Sequence, residues 1–181
     1  MLIPSPSAAR PWALLLALLG LARGGLAGGA LAQQGGAPGA PDDDLSTPQR
    51  PPGLVILQER TTLEGQQVIG VYRAVADPAM PELRSVRVWD QVRGRVVVAT
   101  DRVRCTPEAP LRITGQGGRV FMRSLNPGGP ITAANRLDHL IWWAVCHPEL
   151  AGRDPAGLAA EARRLGYPGT LPEREEILPG G

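Results

Sequence analysis

The apolar pattern changes period once, and that change constrains the fold more than any other feature of the chain. From Leu54 to Leu125 the apolar residues come in short β-rich runs broken by Pro and Gly. After Asn126-Pro127-Gly128-Gly129-Pro130 they recur at helical spacing, as Leu137, Leu140, Ile141, Ala144 and Val145. Strands first and helices after predict an α+β domain, an antiparallel sheet of about five to six strands packed against one long C-terminal helix plus a short second helix. The strand runs are 54–58 and 67–76, separated by Glu64-Gly65-Gln66; 85–90 and 95–100, turning around 91–94; and 111–114 and 119–125, across Gly115-Gln116-Gly117-Gly118. Asp77-Pro78 and Met80-Pro81 interrupt the series, because proline has no N–H for a ladder and restricts the residue before it. Thr132 is the expected N-cap of a helix over 133–146, which Pro148 ends. Asp154-Pro155 starts the second helix and Gly166 stops it.

The flanking segments have a different composition. Arg10 precedes an apolar run, Trp12 to Ala22, and Ala30-Leu31-Ala32 carries the small-residue pattern read by a signal peptidase. The run is far shorter than the roughly 20 apolar residues a membrane span needs. Segment 1–32 therefore reads as a signal peptide whose removal leaves no stable membrane anchor. Export then leads to a periplasm, the extracellular medium or another lumen. Residues 33–52, rich in Gly, Pro and Asp, read as a disordered linker. A single domain is expected over 53–166, and 167–181 as an extended or disordered tail.

Charge narrows the choice of partner. All 19 basic residues are arginines, and losing Arg10 and Arg23 with the leader leaves 17 against 17 carboxylates. A formally neutral chain gives no support to nucleic-acid binding. Locally the balance is uneven: nine arginines but only Asp90, Asp101 and Glu108 lie between 84 and 123, whereas Asp42–Asp44 and Glu173, Glu175 and Glu176 make both flanks acidic. Pairing of the flanks with the middle accounts for this without a polyanion ligand.

Cys105 and Cys146 form an even pair in an oxidising compartment, so a disulfide is expected. His139 and Cys146 share a helical face, but His147 points about 100° away, and the chain has no C-x-x-C, H-x-x-H or H-E-x-x-H spacing, so no metal site is assigned. A Cys146/His147 nucleophilic pair fails because consecutive helical side chains cannot readily hydrogen-bond. Ser46, Ser85 and Ser124 lack a G-x-S-x-G context. Glu59 with Glu64, or Asp90 with Asp101, are carboxylates that could meet across strands. The loop 126–130, leading into a helix N-terminus, is the better of two Gly-rich candidates for an anion; 115–118 reads as a hairpin turn. No catalytic residue and no cofactor is assigned.

Strand alternation separates Val86, Val88, Leu111, Ile113, Val120 and Met122 from Arg87, Trp89, Arg112, Arg119, Phe121 and Arg123. Arginines interleaved with aromatics suit acidic polymers, sugars or protein surfaces, through bidentate hydrogen bonds and cation–π contact. These six are the candidate ligand-binding residues, unless the helix covers their face and makes Trp89 and Phe121 core. Trp142 and Trp143 cannot both lie fully on one helical face: one is expected to pack on the sheet, and the other to be exposed, to cover the linker or to contact a partner. The sequence points to a small exported, non-catalytic binding or accessory module whose partner is a protein or an acidic envelope molecule. A small hydrolase using carboxylates is the alternative, and a Cys/His metal-handling protein the third reading.

Overall fold

Seven antiparallel strands follow one another in chain order, each hydrogen-bonded to the next, in a computed structural model that describes residues 48–180. The segment 1–32 read as a signal peptide and most of the segment 33–52 read as a linker, with Asp42–Asp44, lie outside the described residues. The strands are β1 (Val55–Thr62), β2 (Gly65–Ala76), β3 (Leu83–Val92), β4 (Arg95–Arg104), β5 (Leu111–Gln116), β6 (Arg119–Ser124) and β7 (Arg174–Pro179). Six were expected from the sequence at most. The seventh lies in the segment read as a tail, where Arg174-Glu175-Glu176-Ile177-Leu178 has no apolar alternation to announce a strand.

Two helices follow β6: α1 (Arg136–Cys146) and, after 3-10 turns at Pro148–Leu150 and Pro155–Gly157, α2 (Ala159–Arg164). The first begins at Arg136 rather than Ala133, because Thr132 and Asn135 interlock ahead of it. Asn135 Oδ1 accepts the Thr132 N–H at 2.7 Å, and its Nδ2 donates to the Pro130 carbonyl at 3.0 Å. At the other end Arg84 donates to the Val145 carbonyl at 2.6 Å, placing a cation where the helix dipole favours one.

One face of the sheet receives α1. Leu57, Ile69, Val71, Val86, Val88 and Val103 pack there with Leu140, Ile141 and Val145, and Leu150, Leu158, Ala162 and Tyr167 join the same core from the segment after α1. That second layer leaves neither tryptophan exposed, against the expectation that one of the pair would be exposed or meet a partner. Both Trp142 and Trp143 are buried, at 0% and 1% exposure, so neither offers a surface to a partner. Trp142 donates to the Arg104 carbonyl at 2.9 Å and meets Trp143 and Tyr167 edge-on, with ring centroids 5.1 and 5.0 Å apart. A disulfide joins Cys105 to Cys146 with their Cα atoms 5.4 Å apart, tying the chain after β4 to the end of α1. Among the described residues no helix is long and apolar enough to cross a membrane.

Register decides which side chains share a face. Val86 stands opposite Asp101, Val103 opposite Arg112, and Arg112 opposite Arg123. The helix-bearing face therefore carries Arg112 and Arg123, with Thr114 and Phe121 next along β5 and β6, and Arg119 beyond Phe121. Arg87 and Trp89 alternate with Val86 and Val88 and lie on the opposite face. The six candidates thus do not form one surface, since the chain between β4 and β5 sets a register in which Arg112 takes the place expected for Leu111 or Ile113. One residue of shift exchanges the two faces of a strand.

Candidate functional site

A buried arginine must find carboxylates, because an unpaired charge in the interior is far too costly. Arg112 is 8% exposed. Its Nε and Nη2 donate to Asp101 Oδ2 at 2.9 and 2.6 Å, and its Nη1 donates to Asp138 in the first turn of α1. Arg123 pairs with Glu175 of β7 at 2.5 Å, approaches Asp138 at 3.8 Å, and places its guanidinium 5.3 Å from the centre of the Phe121 ring. The charges alternate from Asp101 through Arg112, Asp138 and Arg123 to Glu175, linking β4, β5, α1, β6 and β7. Burial holds the Asp101 carboxyl above its ordinary range, although Arg112 pulls it the other way.

Beside this network the helix-bearing face holds a trough of about 320 Å³. Ile69, Val88, Val97, Ala99 and Leu137 supply its apolar lining, and Asp90, Asp101, Arg112 and Arg123 its charges. Val97 remains 61% exposed. Asp90 accepts a hydrogen bond from Gln67 at 2.8 Å, and Gln67 in turn accepts one from Arg60 at 2.7 Å. Volume and lining suit an apolar group oriented by a few fixed polar atoms.

Asp90 and Asp101 line the same trough without forming a catalytic pair. Asp101 stands opposite Val86, so Asp90 is four residues farther along β3, roughly 14 Å at the usual rise per residue. Carboxylates that share a hydrolytic site lie within roughly 10 Å of each other. The other candidate pair also separates: Glu59 faces Arg50 at 3.7 Å, and Glu64 sits in the turn before β2.

The loop 126–130 does hold an anion, and the anion belongs to the chain. Glu173 Oε1 accepts the Asn126 N–H at 3.1 Å and the His139 Nε2–H at 2.7 Å, and its Oε2 accepts from Asn135 Nδ2 at 2.8 Å. The Asn126 side chain is committed as well, donating to the Gly169 carbonyl and accepting the Leu171 N–H, both at 3.1 Å. The loop glycines serve close packing: a Cβ on Gly129 would stand 2.0 Å from Asn126 Nδ2, and one on Gly128, where φ is +83°, 2.6 Å from Ala162 Cβ.

Comparison with protein-family models, curated proteins and solved structures gives no match.

The histidines fall in separate places. His139 is fully buried against Glu173, with Nδ1 unpartnered, whereas His147 reaches the Tyr167 hydroxyl at 3.0 Å, and burial lowers its pKa. Among the described residues no three His, Cys, Asp or Glu side chains converge to hold a metal ion. Both thiols are consumed by the disulfide. Sequence reasoning singled out neither Asp138 nor the clamp made by Glu173. The acidic residues of 173–176 set against the arginine-rich middle of the chain were a signal for the Glu175–Arg123 pair but not for the seat of Glu173.

Glu173→Gln is expected to loosen β7 while leaving the rest of the sheet in place. Weakening hydrogen bonds to a charged acceptor costs about 1.5–3 kcal/mol. Amide exchange over 174–178 should then rise at least roughly tenfold, with exchange in β2 and β3 unchanged. Unaltered exchange in β7 would mean that the ladder to β6 holds the strand alone.

Proposed function

We propose that this chain is an exported binding module without catalytic machinery, and that it takes an apolar portion of a protein partner in the trough beside α1. The observation that carries this reading is the trough itself: an open apolar lining beside a charged network already ordered by its own pairs. Such a surface binds without first having to organise its polar groups. Arg112 and Arg123 are neutralised by Asp101, Asp138 and Glu175, which favours a protein partner over an acidic envelope polymer. The disulfide agrees with export to an oxidising compartment.

A photo-crosslinking residue at Val97 tests the proposal. In an extract of the compartment that receives the protein, it is expected to give one discrete adduct, absent when the same residue replaces Arg87 on the opposite face. Ala99→Arg, which fills the trough, should abolish the adduct. Equal labelling from both positions, or labelling indifferent to Ala99→Arg, would remove the trough from consideration.

The hydrolase reading keeps one supporting observation, the convergence of Asp101 and Asp138 on Arg112 with the Asp101 pKa raised. It ranks second. Arg112 holds both carboxyl groups as acceptors, and Asp101, although it borders the trough, is only 1% exposed and presents almost no accessible surface to a substrate.

A further inference from the structure

The strand β7 has the contacts of a bound ligand more than those of a core element. Every residue from Arg174 to Pro179 is exposed, including Ile177 at 51% and Leu178 at 45%. None of them enters the hydrophobic core. What holds the segment is its ladder to β6, with Arg119 opposite Pro179 and Ser124 opposite Arg174 at the two ends, and two carboxylates. Glu173 fits a three-donor seat built from the Asn126 N–H, Asn135 Nδ2 and His139 Nε2, and Glu175 pairs with Arg123. The seat is prepared by the body of the fold. His139 is fully buried in α1, and its Nε2 has no other partner among the described residues.

We infer that the β6 edge, together with Asn126, Asn135, His139 and Arg123, is a docking site for an extended acidic strand of a partner protein, occupied here by the chain's own residues 173–179. An edge strand supplies a row of backbone donors and acceptors that any extended segment can pair with, and side-chain pockets then select the sequence. The selecting features are two carboxylates two residues apart, which an extended backbone projects to the same side. The two surfaces share Arg123, but the β6 edge and the Glu173 seat lie outside the apolar lining of the trough, so a variant at Ala99 or at Glu173 tests one proposal without the other. A tethered strand competes at an effective concentration in the millimolar range, so a free strand binds the intact chain weakly unless the resident one is loosened.

The experiment uses the full chain and a fluorescein-labelled synthetic peptide of residues 170–180, with fluorescence anisotropy as the readout. The resident strand is loosened by Glu173→Gln with Glu175→Gln, or by Ile177→Gly where the double change impairs folding. It is locked by a disulfide between Val120→Cys and Leu178→Cys, which stand directly opposite each other. The loosened chain is expected to bind the peptide at least roughly tenfold more tightly than the locked chain. A peptide with Gln at both acidic positions should bind neither. Equal binding to loosened and locked chains would place the peptide elsewhere, and equal binding of the Gln peptide would remove carboxylate recognition. No binding to a folded loosened chain would overturn the site. A concentration-dependent dimer of the loosened chain alone would replace the partner protein with a second copy.

Discussion

Arg112→Leu is expected to destabilise the domain by about 3–5 kcal/mol, the usual cost of removing one partner from a buried ion pair. The leucine packs well enough; the loss comes from what it leaves behind. Asp101, 1% exposed, and Asp138, 8% exposed, would face each other without the guanidinium that separates their charges. Urea denaturation of the single variant measures this, and a loss below about 1 kcal/mol would mean that the network is not coupled to folding. Asp101→Asn supplies the complementary measurement. Because the folded protein holds the Asp101 carboxyl above its ordinary range, the folded state binds that proton more tightly than the unfolded chain. Its contribution is complete below the unfolded value and is lost as pH rises through the raised folded one. Wild type should therefore lose stability relative to Asp101→Asn as pH increases across that window. The opposite slope would show that pairing to Arg112 outweighs burial.

The order of elements was legible in the sequence because periodicity and turn residues are local. Gly117 and Gly118 have φ of +57° and +70° at the β5–β6 turn, as a tight hairpin requires, and the change to helical spacing falls where α1 begins. The site was legible only in fragments, because it depends on register. Alternation within β5 and β6 shows that Arg112 and Arg123 point away from Leu111 and Met122, but it carries no information on which face meets α1. That choice is made between β4 and β5, in the irregular stretch before Leu111, and it places Arg112 opposite Val103. Asp138 escaped notice for a related reason. In an apolar helix a lone acid near the first turn reads as a dipole partner, and only the buried Arg112 gives it another role. The seventh strand was hidden because its partners are charges on β6 and donors in the 126–139 region, so complementarity across some 50 residues of chain stands in for the apolar pattern.

Cys105→Ser with Cys146→Ser is expected to cost about 4 kcal/mol, from the chain-entropy relation applied to a loop whose ends are 41 residues apart. The loop encloses β5, β6 and nearly all of α1, so opening it frees in the unfolded chain the segments that build the charged network. The native state is affected as well. Tyr167, whose phenol burial pushes up to about 12, donates to the Cys105 carbonyl at 3.1 Å and contacts His147 at 3.0 Å, so the aromatic group around Trp142 and Trp143 is anchored beside the bridge. Near-UV circular dichroism should weaken before far-UV signal does. A cost below about 1 kcal/mol would show that core packing alone positions the end of α1. The two ends of that helix are fixed by different means, Asp138 by Arg112 and Cys146 by the bridge, and the sites share no partner, so their losses should add. Together they reach about 7–9 kcal/mol, within the 5–15 kcal/mol span of whole-domain stabilities. The triple variant Arg112→Leu, Cys105→Ser, Cys146→Ser is therefore expected to be largely unfolded at 37 °C while each parent remains folded.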